Sequence, residues 1–215
     1  IILLVLMMIG VFHGVDYEVS IPLVPGIDFR LHADALSLMF VNLSAVLWLA
    51  TTVYAIGYLE DSPNRSRFFG YFSLCVTTTV GLAMAGNLLT FLVFYEALTL
   101  STYPLVAHKG DKATVRSARV YLGILISASI GLLLPAIIWT YSAAGSGTFT
   151  PGGILEGHIE GPAIGLLLGL FVFGTAKAAV MPVHRWLPAA MVAPTPVSAL
   201  LHAVAVVKAG VFTIT

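Results

Sequence analysis

Stretches of uncharged, apolar residues recur along this chain, separated by shorter segments that hold nearly all of its charge. An α-helix needs roughly twenty such residues to cross the hydrocarbon layer of a bilayer. Within that layer every backbone N–H and C=O must be satisfied by the segment itself, which favours helices. The runs lie near residues 1–12, 35–58, 68–86, 88–107, 120–142, 162–181 and 195–215. They predict an all-α integral membrane protein with about seven transmembrane helices. Composition agrees: 59% of the residues are hydrophobic, 9% are charged, and the mean hydropathy is +0.99. A soluble domain carries roughly 25% charged residues, so this chain cannot cover a soluble surface. A formal net charge of zero and the lack of a basic stripe speak against nucleic-acid binding.

The connections carry the turn chemistry. "HGVDYEVSIPLVPGIDFRLHAD", "EDSPNRSR", "HKGDKATVRSAR", "GSGTFTPGGILEGHIEGP" and "PVHRWLPAAMVAPTP" hold most of the prolines, glycines and charges. Asp34 stands where a helix opens and is expected to be its N-cap. Arg65, Arg67, Lys109, Lys112, Arg116, Arg119 and Arg185 fall in alternate connections. The other set holds Arg30 as its basic residue, with Asp16, Glu18, Asp28, Glu156 and Glu160. The positive-inside rule places the first set on the cytoplasmic side. "KATVRSAR" reads either as a solvated loop or as a surface helix against anionic lipid. The apolar openings at both ends predict that the chain is part of a longer polypeptide. Cys75, the one cysteine, lies in an apolar run and is expected to be a small buried residue.

Three charged residues remain inside the runs: Glu96, Lys177 and Lys208. Each costs about 2.5–3.5 kcal/mol at a helix centre on insertion scales. Such residues usually face a bundle interior, pair with one another and mark an ion route. The opposing reading is an inert Glu96–Lys177 pair that only specifies packing, although buried pairs are weak stabilisers. That reading leaves Lys208 without an acidic partner in the chain. Thr99 and Tyr103 follow Glu96 on the same helix face and could support its carboxylate or serve as interhelical contacts. His202 precedes Lys208 by less than two turns and could relay a proton. His184 follows Lys177 across Pro182, which predicts a broken helix there; a relay role and a loop-packing role are both open. His13, His32, His108 and His158 read as interface or loop residues. Burial disfavours the charged form of an acid or an amine, and a neighbouring opposite charge restores it. A lysine whose acidic partner moves can therefore carry a proton without covalent chemistry.

From "AKAAVMPVHRWLPAAMVAPTPVSALLHAVAVVKAG" (176–210) the sequence resembles the antiporter-like membrane subunits of Mrp-type sodium/proton antiporters, respiratory complex I (NADH:quinone oxidoreductase) and membrane-bound hydrogenases. "DALSLMF", "YAIGYLE" and "NLLTFLVFYEALTLSTYPLV" extend the resemblance over nearly the whole chain. It implies a fold of about fourteen helices built as two inverted five-helix repeats. Residues 1–67 would then be N-terminal helices and loops, and 68–215 the first repeat, without its partner half. It further implies that Glu96 is the family's intramembrane glutamate, Lys177 the lysine of the broken helix, Lys208 the central lysine and His202 the neighbouring histidine. The presence of both His202 and Lys208 points nearest to the large Mrp subunit. The implied activity is translocation of protons, with or without sodium, by a Glu–Lys switch and a Lys/His relay. The implied partners are other membrane subunits of an antiporter or of the membrane arm of a respiratory translocase, in a bacterial cytoplasmic (inner) membrane.

Two other classes compete. A structural subunit would use Glu96 and Lys177 only to hold helices together. An intramembrane hydrolase ranks last, because no HExxH, paired aspartates or elbow-type serine stands in a run. No cysteine cluster or GxGxxG is present, so neither a resident cofactor nor a metal site is expected.

Overall fold

The computed structural model describes residues 2–24, 27–60, 62–150, 152–155, 157–200 and 205–214. It is predominantly helical, and the apolar runs set the helices. After α1 (Ile2–Phe12) comes a two-stranded antiparallel hairpin, β1 (Tyr17–Val24) and β2 (Ile27–Ala33). Sequence reading treated this segment as an irregular connection in an all-α chain, and the hairpin is a correction to it. Its physical basis is the alternation of apolar and polar residues in "VSIPL" and "DFRLH", the two-residue period of a pleated strand.

Helix α2 (Ala35–Tyr58) starts where Asp34 predicts. The Asp34 carboxylate accepts from the Ser37 N–H at 2.7 Å, and the Ser37 hydroxyl accepts from the Asp34 N–H at 2.9 Å, a reciprocal cap. Helix α3 (Arg65–Ala83) follows, then α4 (Leu88–Val106), capped by Asn87 accepting from the Thr90 N–H at 2.8 Å. Helix α5 (Lys112–Ala128) begins at the Asp111 cap, runs through a π-helical segment (Ser129–Leu133) and continues as α6 (Leu134–Ala144). Among the described residues three helices are long and apolar enough to cross a membrane: Ala35–Tyr58, Leu88–Val106 and the joined Lys112–Ala144. Helices α1 and α7 (Pro162–Gly174) are apolar but shorter.

The last two runs are interrupted. Helix α7 stops at Gly174, eight residues earlier than Pro182, so the break sits before the proline rather than at it. A short 3₁₀ turn, Ala176–Ala178, comes next, then a second, Val183–Arg185, which leads into α8 (Trp186–Ala190). In the run at 195–215 the described residues hold α9 (Thr195–Leu200) and α10 (Val207–Ile214), with a bend at Val206 just before the latter.

One end of the bundle is sewn together by backbone bonds. The His32 N–H donates to the Met84 carbonyl (2.8 Å), and the Gly86 N–H to the Arg30 carbonyl (2.9 Å). The Leu88 N–H donates to the Gly147 carbonyl (2.9 Å), and the Asn87 side-chain amide to the Asp28 carbonyl (2.6 Å). The hairpin, the α3–α4 turn and the segment after α6 thus form one plate. At the other end of α4, His108 lies edge-on to Phe68, near the start of α3, with ring centroids 5.2 Å apart. Burial lowers the His108 pKa, and Arg67 lowers it further. The basic starts of α3 and α5 therefore stand away from the acidic hairpin, as the charge alternation predicts. The largest fully buried side chains in the core include Trp186, Tyr95, Tyr121, Phe68 and Phe72, and with them a lysine, Lys177.

Candidate functional site

The site is built on the break after α7. Gly174 packs against the π-helical segment so closely that a Cβ there would lie 2.5 Å from the Leu133 backbone nitrogen. The Thr175 hydroxyl and N–H both donate to the Phe171 carbonyl, at 2.6 and 2.9 Å, which closes the helix. Four residues on, Ala179 takes a left-handed φ of +56°, a conformation that costs an alanine roughly 1 kcal/mol or more. Packing holds it in place: Gly210 of α10 lies against the Ala178 nitrogen and the Lys177 carbonyl carbon, where no side chain fits. The Trp186 indole N–H donates to the Ala176 carbonyl at 2.7 Å, beside the Ala179 N–H at 2.9 Å, and ties α8 to the break.

Lys177 sits in this break and is fully buried. Its Nζ donates to the Tyr95 carbonyl and to Thr99 Oγ1, each at 2.6 Å, and lies 3.1 Å from the Tyr95 ring centroid. Its backbone N–H donates to the Tyr95 hydroxyl at 3.2 Å. The α4 residues that meet the broken helix are therefore Tyr95 and Thr99, with Glu96 next to Tyr95 in the chain. Glu96 itself is half-buried, and its Oε1 is enclosed without a hydrogen-bond partner among the described residues. No Glu96 oxygen comes within 4.0 Å of the lysine nitrogen. The ion pairs among the described residues are Arg30–Glu18 at 2.7 Å, within the hairpin, and His32–Asp16 at 3.0 Å, from β2 to the residue before β1. So α4 and the break bring Glu96, Thr99 and Lys177 into one neighbourhood, with the acid and the base unpaired.

The other candidates stand further out. Tyr103 is half-buried on α4 and packs against the core. His184 is half-buried in the second 3₁₀ turn, with an enclosed Nδ1 that has no partner among the described residues. Lys208 is half-buried on α10 and makes no ion pair among the described residues. His202 lies outside the described residues. Cys75 is buried, and its thiol donates to Ser101 Oγ at 3.4 Å, as its apolar setting predicts. Sequence reasoning missed Tyr95, Tyr121 and Trp186. Tyr121 shares a 2.6 Å hydrogen bond with Thr102 and lies edge-on to Trp186, linking α4 and α5 to the segment after the break. No sequence signal marks Tyr95, because one of its contacts uses a backbone carbonyl, which every residue has.

Two family models match the chain. One, described as NADH:quinone oxidoreductase/Mrp antiporter, TM, covers residues 85–215, more than half of the sequence. The other, described as NADH-Ubiquinone oxidoreductase (complex I), chain 5 N-terminus, covers 25–69. Among similar proteins, mnhA2 of Staphylococcus haemolyticus, named as an antiporter subunit, is 33% identical over 94% of this chain and 26% of its own length. The NAD(P)H-quinone oxidoreductase chain 5 of Synechocystis is 36% identical over 84% of this chain and 27% of its own. The NADH-quinone oxidoreductase subunit L of Mycobacterium tuberculosis is 34% identical over 87% and 30%. In fold, the chain is similar to a chain of the Mrp complex from a Dietzia species. That match has a TM-score of 0.75 and 24% identity, over 98% of this chain and 24% of the other. The chain thus spans 26–30% of the length of these curated relatives.

Proposed function

The chain belongs to the NADH:quinone oxidoreductase/Mrp antiporter family of membrane proteins, and from that premise we propose that it translocates protons across a membrane as a subunit of a larger complex. Glu96 and Lys177 act as an electrostatic switch, and Lys208 and His202 relay the proton onward; His184, Tyr103 and Thr99 support them. Seven spans, with 68–215 as the first of two inverted repeats, would supply one half of the route, and the rest of the full-length protein the other. The seven basic residues face the cytoplasm of a bacterial cell, and the neighbours are other membrane subunits. Sodium as a second cargo is decided by comparing flux with and without it.

One observation carries this reading: a fully buried lysine stands on an interrupted helix, directly against the helix that bears a half-buried carboxylate with one enclosed, unpartnered oxygen. A break at membrane depth frees backbone groups and is tolerated where it lines a cavity or is buried in protein. The lysine chain is flexible and its ammonium is a compact point charge. It can swing between hydrogen-bond acceptors on α4 without moving the backbone.

A structural reading has its own support, since Lys177 already holds α4 and the break together through three hydrogen bonds to Tyr95 and Thr99. Replacing Lys177 with Met in the full-length chain separates the two. Proton flux would be followed with a pH-sensitive dye in vesicles, and assembly on native gels. Translocation predicts that flux is lost while the complex assembles. Normal flux would make Lys177 a packing residue and remove the basis for the switch.

A further inference from the structure

Two kinds of partner are within the lysine's neighbourhood on α4, and the structure uses only one. The Lys177 ammonium faces the Tyr95 ring and donates to the Tyr95 carbonyl and the Thr99 hydroxyl. Thr99 Oγ1 gives its own proton to the same Tyr95 carbonyl at 3.0 Å, so its lone pairs are left for the ammonium. In a continuous helix the Lys177 N–H would bond to the Phe173 carbonyl; here it reaches the Tyr95 hydroxyl instead. Tyr95, fully buried, therefore grips Lys177 at both ends, by its head group and by its main chain. Glu96, the next residue, takes no part in this.

We infer that Tyr95 is a positioning residue for Lys177: with Thr99 it forms an uncharged seat in which the ammonium rests apart from Glu96, giving the lysine two alternative stations on one helix. The inference rests on the translocation reading above and deepens it by adding the second station. An aromatic face, a carbonyl and a hydroxyl all stabilise a cation. The carbonyl and the aromatic face have no proton to give up, so the seat holds the ammonium whatever the state of the carboxylate. A switch that depended on Glu96 alone would leave the released lysine with no defined place. The seat supplies one, and it anchors the broken backbone in the same contact.

The test uses the full-length chain in its complex, with Tyr95→Leu, Tyr95→Phe and Thr99→Val, and Lys177→Met as the reference. Proton flux is measured in vesicles over a series of pH values, with assembly checked on native gels. Loss of the ring in Tyr95→Leu is expected to move the pH of half-maximal flux by about half a unit or more. Thr99→Val is expected to move it in the same direction. Tyr95→Phe keeps both ring and carbonyl and is expected to bring the midpoint back close to the parent value. Should Tyr95 merely fill space, the amplitude of flux would change while the midpoint stayed fixed. With Lys177→Met still inactive, that outcome overturns the seat and leaves translocation standing. Flux that survives Lys177→Met overturns both. Where Tyr95→Leu fails to assemble, an unmoved midpoint in Thr99→Val overturns the seat by itself.

Discussion

At the scale of single residues, Lys177 is as buried as the aromatic side chains around it because each of its donors has somewhere to go. The seat on α4 takes the ammonium, and the Tyr95 hydroxyl takes the main-chain N–H. Trp186 adds a second donor to the carbonyl of Ala176, which also accepts from the Ala179 N–H. Trp186→Phe removes that second donor while the Ala179 N–H stays on the carbonyl, at a cost of about 0.5–1.5 kcal/mol. It is expected to lower the unfolding temperature in detergent. A thermal melt equal to that of the parent would mean that the Ala179 N–H alone satisfies the carbonyl. The three charges in apolar runs were legible from sequence because a charge in lipid has few harmless explanations. Their partners were not. Opposite charge predicts a Glu96–Lys177 pair, yet the ammonium lies on neutral groups of the adjacent residue and the next turn, which no charge count would find.

At the scale of elements, the starts of α2 and α4 were legible, whereas α3 and α5 begin three and eight residues before the apolar runs at 68 and 120. The N-caps Asp34 and Asn87 sit one residue before α2 and α4, and the sequence limits of both helices hold to within a residue at each end. Asn87 also ties α4 to the hairpin through the Asp28 carbonyl. Asn87→Ala therefore loses a cap and a tertiary bond, together about 2–3 kcal/mol, measurable by thermal unfolding in detergent. The break at Gly174 was read at Pro182 because proline is the visible breaker. The cause is instead a tertiary contact, the backbone of the π-helical segment against a glycine. Two substitutions on α7 test this. Gly174→Ala puts a methyl into the Leu133 backbone and is expected to destabilise by about 1–3 kcal/mol. At Gly169 nothing lies within 4 Å of an added Cβ, so Gly169→Ala is expected to be neutral or stabilising by up to about 1 kcal/mol. Equal melts for the two variants would remove Gly174 as the determinant of the break. The hairpin's two-residue alternation is hard to read in sequence because its charges and prolines have the chemistry of a connection.

At the scale of the whole molecule, composition and charge alternation carried the membrane reading and the separation of acidic and basic ends. What they could not carry was that connections distant in sequence join into one plate. The sidedness is open to a direct check. In a Cys75→Ser background, Glu18→Cys and Lys109→Cys place exposed thiols on the hairpin and on the basic turn after α4. A membrane-impermeant thiol reagent is expected to reach them from opposite sides of oriented vesicles. Labelling of both from one side would contradict the arrangement.

The plate has a mechanical consequence. It fixes the end of α3, the start of α4 and the end of α6 to one another through main-chain bonds, while among the described residues no such bond runs from it to α7 or α10. Tyr95, Glu96 and Thr99 thus belong to a clamped frame, and Lys177 to a limb held against it by side-chain contacts and close glycine packing. The boundary between stiff and compliant parts runs between the lysine and its acceptors, so that displacement of the limb is felt first as a change in the length of those few hydrogen bonds.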